Sequence, residues 1–265
     1  NVTVVADHPD NMKYLISTVL GIQPRLNELK NRIYLSSGEA FNDYNFSFIR
    51  LRAREAGLTA SKELIEDVVN ELARDSSYHP FKQAIKDAAP WDTGKADYIG
   101  QLFETLEIEG EEGATNLSIY KDYLTRWLVG IIAKVYNPGT QNLVLTLQGN
   151  QGVGKSRWFE KLAIAPEVYG EGAIAPENKD HELRHLNYII WHASEIDGII
   201  RKKDVAALKD YFTKQVISIR EAYGRFDRVG KSVLSFCASV NDGTFLSDST
   251  GSRRFLIIPI SGINA

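Results

Sequence analysis

The stretch QGNQGVGKSRWFEKLA, Gln148 to Ala163, decides the fold. Gly149, Gly154, Lys155 and Ser156 fit the pattern G-x-x-x-x-G-K-[ST] without a gap. Context supports the match. Leu143 to Leu147 is a short apolar run that predicts a strand, and Lys155 to Ala163 predicts a helix, so the loop lies where a phosphate loop belongs. Glycines let the backbone curl until successive N–H groups converge on phosphate oxygens. The following helix start adds partial positive charge. Gly149, Asn150, Gln151, Gly152, Val153, Gly154, Lys155, Ser156 and Arg157 are therefore the expected triphosphate-binding residues. Lys155 is expected to reach the β- and γ-phosphates, and Ser156 to hold Mg²⁺.

A phosphate loop alone leaves kinases, GTPases, transporters and motors open. Three later stretches narrow the choice. In YIIWHASEID, Tyr188 to Asp197, an apolar strand ends in acids. Glu195 is the candidate to orient an attacking water, and Asp197 a candidate for the metal shell. In SFCASVND, Ser235 to Asp242, a second strand ends in Asn241. Its amide can bond both a γ-phosphate and a water. In TGSRRF, Thr250 to Phe255, two arginines precede an apolar strand. One of them, Arg253 or Arg254, can serve as an arginine finger across a subunit interface.

The rest of the chain sets the frame. Its 265 residues suffice for one large domain or two small ones. Residues 1–140 read as a mainly helical N-terminal or collar region. Leu64, Ile65, Val68, Val69 and Leu72 recur at helical spacing after a cap at Ser61, and Tyr120, Tyr123, Leu124, Trp127, Leu128, Ile131 and Ile132 do the same. Residues 141–265 alternate helices with strands apolar on both faces. These include Tyr188 to Ala193, Val216 to Ile219, Val233 to Val240 and Phe255 to Ile260, which predict a parallel sheet covered on both sides. The expected class is α/β: a P-loop NTPase core with a mainly parallel sheet, preceded by a mostly helical region. The lone cysteine, Cys237, forms no internal disulfide, which fits a reducing, cytoplasmic setting. No stretch reads as a membrane span. The chain opens at Asn1 and has its only methionine at Met12, so it reads as a piece of a longer protein.

The order GNQGVGKS, HASEID, LKDYFTKQVISIREAYGR, ASVN and TGSRRF resembles the virulence-associated protein E-like family of phages and mobile elements. More broadly it resembles superfamily 3 helicases and the phage and poxvirus primase-helicases. HPFKQAIKDAAPWDTG, His79 to Gly94, is similar to the segment before that family's ATPase core. The resemblance implies an AAA+ core that hydrolyses ATP with Mg²⁺. It implies a homo-oligomeric ring, usually a hexamer, moving along single-stranded DNA in replication. It also implies an upstream primase or polymerase domain in the full-length chain. Lys155 and Ser156 match the Walker A lysine and metal ligand, Glu195 the catalytic glutamate, Asn241 the sensor, and Arg253 with Arg254 the finger pair. Lys209 and Arg220 match recurring basic positions. In many family members an acid stands three residues before the glutamate; here that position is His192.

Net charge is −3 at pH 7, so a DNA footprint has to be local. The stretch from Arg201 to Lys231 is locally basic, and the resemblance places a channel-facing hairpin there. Arg225, Arg228 and Lys231 are candidates for phosphate contacts and Phe226 for base stacking. A non-motor P-loop switch or assembly module is the alternative, without DNA unwinding. HELRH, His181 to His185, also fits the zinc-hydrolase pattern H-E-x-x-H. Its helix is short before the next strand begins, and no third ligand has a clear claim.

Overall fold

The computed structural model describes residues 8–88, 96–110, 115–174, 179–194, 196, 210–212, 214, 216–220, 227–241 and 254–264. The chain forms two compact units that divide between Lys86 and Asp87.

The first unit is built from helices α1 (Pro9–Tyr14), α2 (Asp43–Glu55), α3 (Lys62–Asp75) and α4 (Pro80–Asp87), with an antiparallel hairpin of β1 (Pro24–Asn27) and β2 (Arg32–Leu35). The Ser61 hydroxyl accepts from the Leu64 amide at 3.1 Å and starts α3, as the sequence predicts. Ile65, Val68 and Val69 then bury the apolar stripe of α3 against Met12, Ile16 and Ile49.

The second unit holds a six-stranded sheet of order β3-β10-β4-β9-β6-β5. Its strands are β3 (Leu106–Ile108), β4 (Val144–Gln148), β5 (Tyr169–Gly172), β6 (Ile190–Ala193), β9 (Ser235–Val240) and β10 (Phe255–Ile263). Every pairing is parallel except β3 with β10. The expected α/β class with a mostly parallel sheet is therefore what the chain adopts. Strands β4, β6 and β9 are buried almost throughout, as a sheet covered on both faces requires.

Two expectations change. The first concerns the boundary, placed near residue 140 by sequence. Helix α5 (Tyr98–Glu104), strand β3 and helix α6 (Leu117–Tyr136) belong to the second unit. The reason is packing: α6 lies against β4, β9 and β10, and Trp127 Nε1 donates to the Phe236 carbonyl at 2.9 Å. An apolar helical stripe specifies burial but not the surface that buries it. The second concerns Val216 to Ile219, expected in the parallel sheet. Strand β7 (Val216–Arg220) instead pairs antiparallel with β8 (Asp227–Lys231), as a hairpin separate from the large sheet.

Candidate functional site

The chain runs from β4 out to the far edge at β5, returns through β6 and β9, and crosses to β10 on the other side of β4. Neighbouring chain connections thus diverge at β4, and ligands of open α/β sheets bind beyond the carboxyl end of such a strand. The loop Gly149–Gly154 emerges at that end and leads into α7 (Lys155–Lys161).

Local geometry explains the glycines. A Cβ on Gly149 would stand 2.1 Å from the Ile260 carbonyl oxygen, so β10 reaches the loop only because no side chain intervenes. Gly152 and Gly154 adopt φ of +88° and +94°, the left-handed region that other residues enter at a cost. Gly154 in that conformation turns the chain into α7 and presents Lys155 inward.

Lys155 is only 6% exposed. Its Nζ donates to the carbonyls of Gly149 at 2.6 Å and Asn150 at 2.8 Å, and to Asn241 Oδ1 at 3.1 Å. The last bond joins the loop lysine to the end of β9. It arises from register, since Gln148 lies beside Val240 and the Gly149 amide donates to the Val240 carbonyl at 3.1 Å. A cavity of about 420 Å³ opens here, lined by Gln151, Gly152, Gly154, Lys155, Ser156, Arg157, His192, Ser194, Ser239 and Asn241. The residues present fit a magnesium-bound triphosphate: an open backbone cradle, an ammonium held at its centre and the exposed Ser156 hydroxyl at its wall. Lys155 and the loop amides would hold the phosphates, and Ser156 the cation.

Of the sequence-predicted residues, Lys155, Ser156, Arg157, Gln151 and Asn241 converge on this cavity, and Asn150 contributes its carbonyl to the lysine. Val153 completes the turn of the loop. Glu195, Asp197, Arg253, Arg225 and Phe226 lie outside the described residues. Arg254 is half-buried and precedes Phe255, which pairs with Val144 at the start of β4. The loop Gly149–Gly154 leaves the opposite end of that strand, roughly 16 Å away at the usual rise per residue. Arg254 therefore stands apart from its own chain's loop. Lys231 is exposed at the end of β8, and its stem approaches the Pro138–Gly139 turn. Arg228 lies on β8, opposite Ile219 in the hairpin register.

Sequence reasoning missed Ser194 and Ser239 as cavity-lining residues. The signal was available for Ser239: it lies near the end of β9, two residues before Asn241, and side chains two apart along extended chain share a face. His192 was noted as a departure from an acid and as a histidine near the HELRH pair, not as a cavity residue. It is fully buried, and burial pushes its imidazole below the ordinary value against the opposing pull of Glu171.

The HELRH histidines have a different environment. His185 is buried, its Nδ1 bonds the Tyr211 hydroxyl, and its ring packs 4.2 Å from that of Trp191. Among the described residues, no group of three His, Cys, Asp or Glu side chains could hold a metal ion. Nor is any described helix long and apolar enough to cross a membrane.

The sequence profile of the virulence-associated protein E-like domain matches residues 94–265. The chain belongs to the virulence-associated protein E-like family. The matched span takes in α5, β3 and α6 together with the large sheet, which agrees with their packing as one unit. No curated protein matches significantly. Among solved structures, the apo A form of the NrS-1 C-terminal region, residues 305–718, aligns with a TM-score of 0.51 and 16% identity, covering 95% of this chain and 62% of that one. A second structure of that region gives a TM-score of 0.49, 16% identity and coverages of 95% and 61%. The chain thus spans under two thirds of the region it resembles, and the likeness is one of fold.

Proposed function

We propose that this member of the virulence-associated protein E-like family is the ATP-hydrolysing core of a ring-forming helicase or translocase. It acts on single-stranded DNA during replication of a phage or mobile element, in the host cytoplasm, as part of a longer chain with a primase or polymerase domain. The observation that carries the reading is the Lys155 ammonium, buried between the loop carbonyls and Asn241 Oδ1. A cation so placed is ready to exchange protein carbonyls for phosphate oxygens, and Asn241 is ready to report that exchange along β9. Mg²⁺ would neutralise charge on the β- and γ-phosphates.

Each residue then has a role. The loop amides and Lys155 bind and orient the phosphates. Glu195 takes a proton from the attacking water, and Asn241 positions that water. Asp197 supports the metal shell. Arg253 or Arg254 reaches the site of a neighbouring protomer. That assignment suits the position of Arg254, just before the start of β10 and a strand's length from its own loop. Arg225, Arg228 and Lys231 contact DNA phosphates, with Phe226 stacked on a base. Locally basic charge within an acidic chain suits a basic channel in an otherwise acidic ring.

The test is ATP hydrolysis with and without single-stranded DNA, together with particle mass. Turnover should rise with DNA and the mass should be a multiple of the chain's. Lys155→Ala should lower turnover by at least about a hundredfold, as loss of a transition-state contact does. Slow turnover indifferent to DNA, from a particle that forms no ring, would instead identify a nucleotide switch. Full activity in Lys155→Ala would remove the site assignment altogether.

A further inference from the structure

His192 and Ser239 line the phosphate cavity, and behind them a row of polar side chains continues across three adjacent strands. Glu171 on β5 lies in register with His192 on β6, and β6 neighbours β9, which carries Ser239. His192 Nε2 is 2.8 Å from Ser239 Oγ. His192 Nδ1 is buried without an aligned hydrogen-bond partner, and it lies 3.3 Å from Glu171 Oε1. The imidazole is wholly shielded from solvent and packs beside the Phe159 ring at 5.3 Å. A polar ring in that position needs a reason, because burial of an unsatisfied nitrogen is costly.

The chemistry of the row fixes its direction. A buried, neutral imidazole carries one proton. The carboxylate beside Nδ1 favours the proton there, since an N–H dipole pointing at negative charge is stabilised. Nε2 is then an acceptor and takes the Ser239 hydroxyl proton. With its only hydrogen committed inward, Ser239 Oγ offers lone pairs alone to the cavity. Waters bound to a divalent cation are strong donors and need such an acceptor.

We propose that Glu171, His192 and Ser239 form a positioning relay that orients Ser239 Oγ to accept from a water on the nucleotide's divalent cation. The inference rests on the nucleotide-binding reading above. It gives a neutral pair the task that an acid at position 192 would otherwise perform, and it accounts for a histidine and a serine lining the same cavity.

Two measurements test it. The first needs no nucleotide: nitrogen-15 NMR of the His192 ring should report the Nδ1–H tautomer, and Glu171→Ala should shift the ring toward Nε2–H. An Nε2–H tautomer in the unsubstituted protein overturns the relay. The second follows binding of a fluorescent ATP analogue in excess EDTA and across a Mg²⁺ titration. Ser239→Ala should weaken the apparent Mg²⁺ affinity by about tenfold, the usual effect of removing an outer-shell partner. Affinity in EDTA should stay within twofold, and Ser239→Thr should restore the Mg²⁺ dependence. Equal weakening with and without Mg²⁺ would indicate a packing role and overturn the proposal. Because Ser239→Ala removes one oxygen and leaves His192 in place, the test does not depend on a histidine variant folding. Failure of the unsubstituted protein to bind the analogue would defeat the nucleotide reading and this inference together. Normal binding with an unaltered Mg²⁺ dependence in Ser239→Ala would defeat this inference alone.

Discussion

At the scale of single residues, two histidines show how burial assigns roles that sequence motifs leave open. The HELRH pattern pairs His181 with His185 one helical turn apart, on α8 (Lys179–His185). In the folded chain His185 is enclosed by Trp191, Tyr211 and Phe236, and desolvation, aided by His181 and Arg184, pushes its pKa down to about 4. The unfolded chain takes up that proton near pH 6.5, the folded chain only near pH 4. Unfolding therefore draws in a proton across that interval. The stability contributed by neutral His185 is fully present above pH 6.5 and falls as the pH drops toward 4. Urea titrations should show the unsubstituted protein losing about 2 kcal/mol more than His185→Gln between pH 7 and pH 4.5. Identical losses in the two proteins would show that His185 is not held neutral.

At the scale of elements, the sheet explains what sequence could and could not reveal. The turn after β4 was legible because its pattern is local: a strand, a glycine turn and a lysine follow one another in the twelve residues from Val144 to Lys155. Asn241 was legible because it ends an apolar run. Strand β5 was not, because Tyr169–Gly172 reads YGEG, with too little apolar character for a strand. Its two glycines are there for a long-range reason, since Cβ atoms on Gly170 and Gly172 would meet the Trp191 ring at 2.6 and 3.3 Å. The destination of α6 was likewise hidden. Its apolar stripe includes Lys134, 4% exposed, whose pKa burial pushes down to about 8. Between pH 8 and about 10.5 the unfolded chain holds a proton that the folded chain has released, so stability rises with pH over that window. Below pH 8 the buried charge is a cost. Lys134→Met should raise stability at pH 7 by about 1–3 kcal/mol, in line with apolar replacement of buried charge, and should abolish the gain above pH 8. Thermal melts of both proteins at pH 7 and pH 10 measure the two effects.

At the scale of the whole molecule, the proposed role of the arginine pair calls for a second chain. The loop Gly149–Gly154 leaves the carboxyl end of β4, while Arg254 enters the sheet beside the amino end of that strand. If the arginine pair completes a catalytic centre, a second protomer has to bring its amino-end edge to the first protomer's carboxyl-end edge. Such a contact is head-to-tail, and head-to-tail contacts that close make rings. Mixing two inactive proteins tests this directly. Lys155→Ala protomers keep their arginines but lose the loop lysine. Arg253→Ala/Arg254→Ala protomers keep the lysine but lose the guanidinium groups. In a randomly mixed ring at equal amounts, roughly one interface in four joins an intact loop to an intact arginine pair. ATP turnover of the mixture should therefore recover to about a quarter of the unsubstituted value, while each variant alone stays inactive. An arginine acting within its own chain would give no recovery at any mixing ratio. Recovery should also disappear on dilution below the concentration at which the particle mass falls to that of one chain, because a centre shared between protomers is lost when they separate.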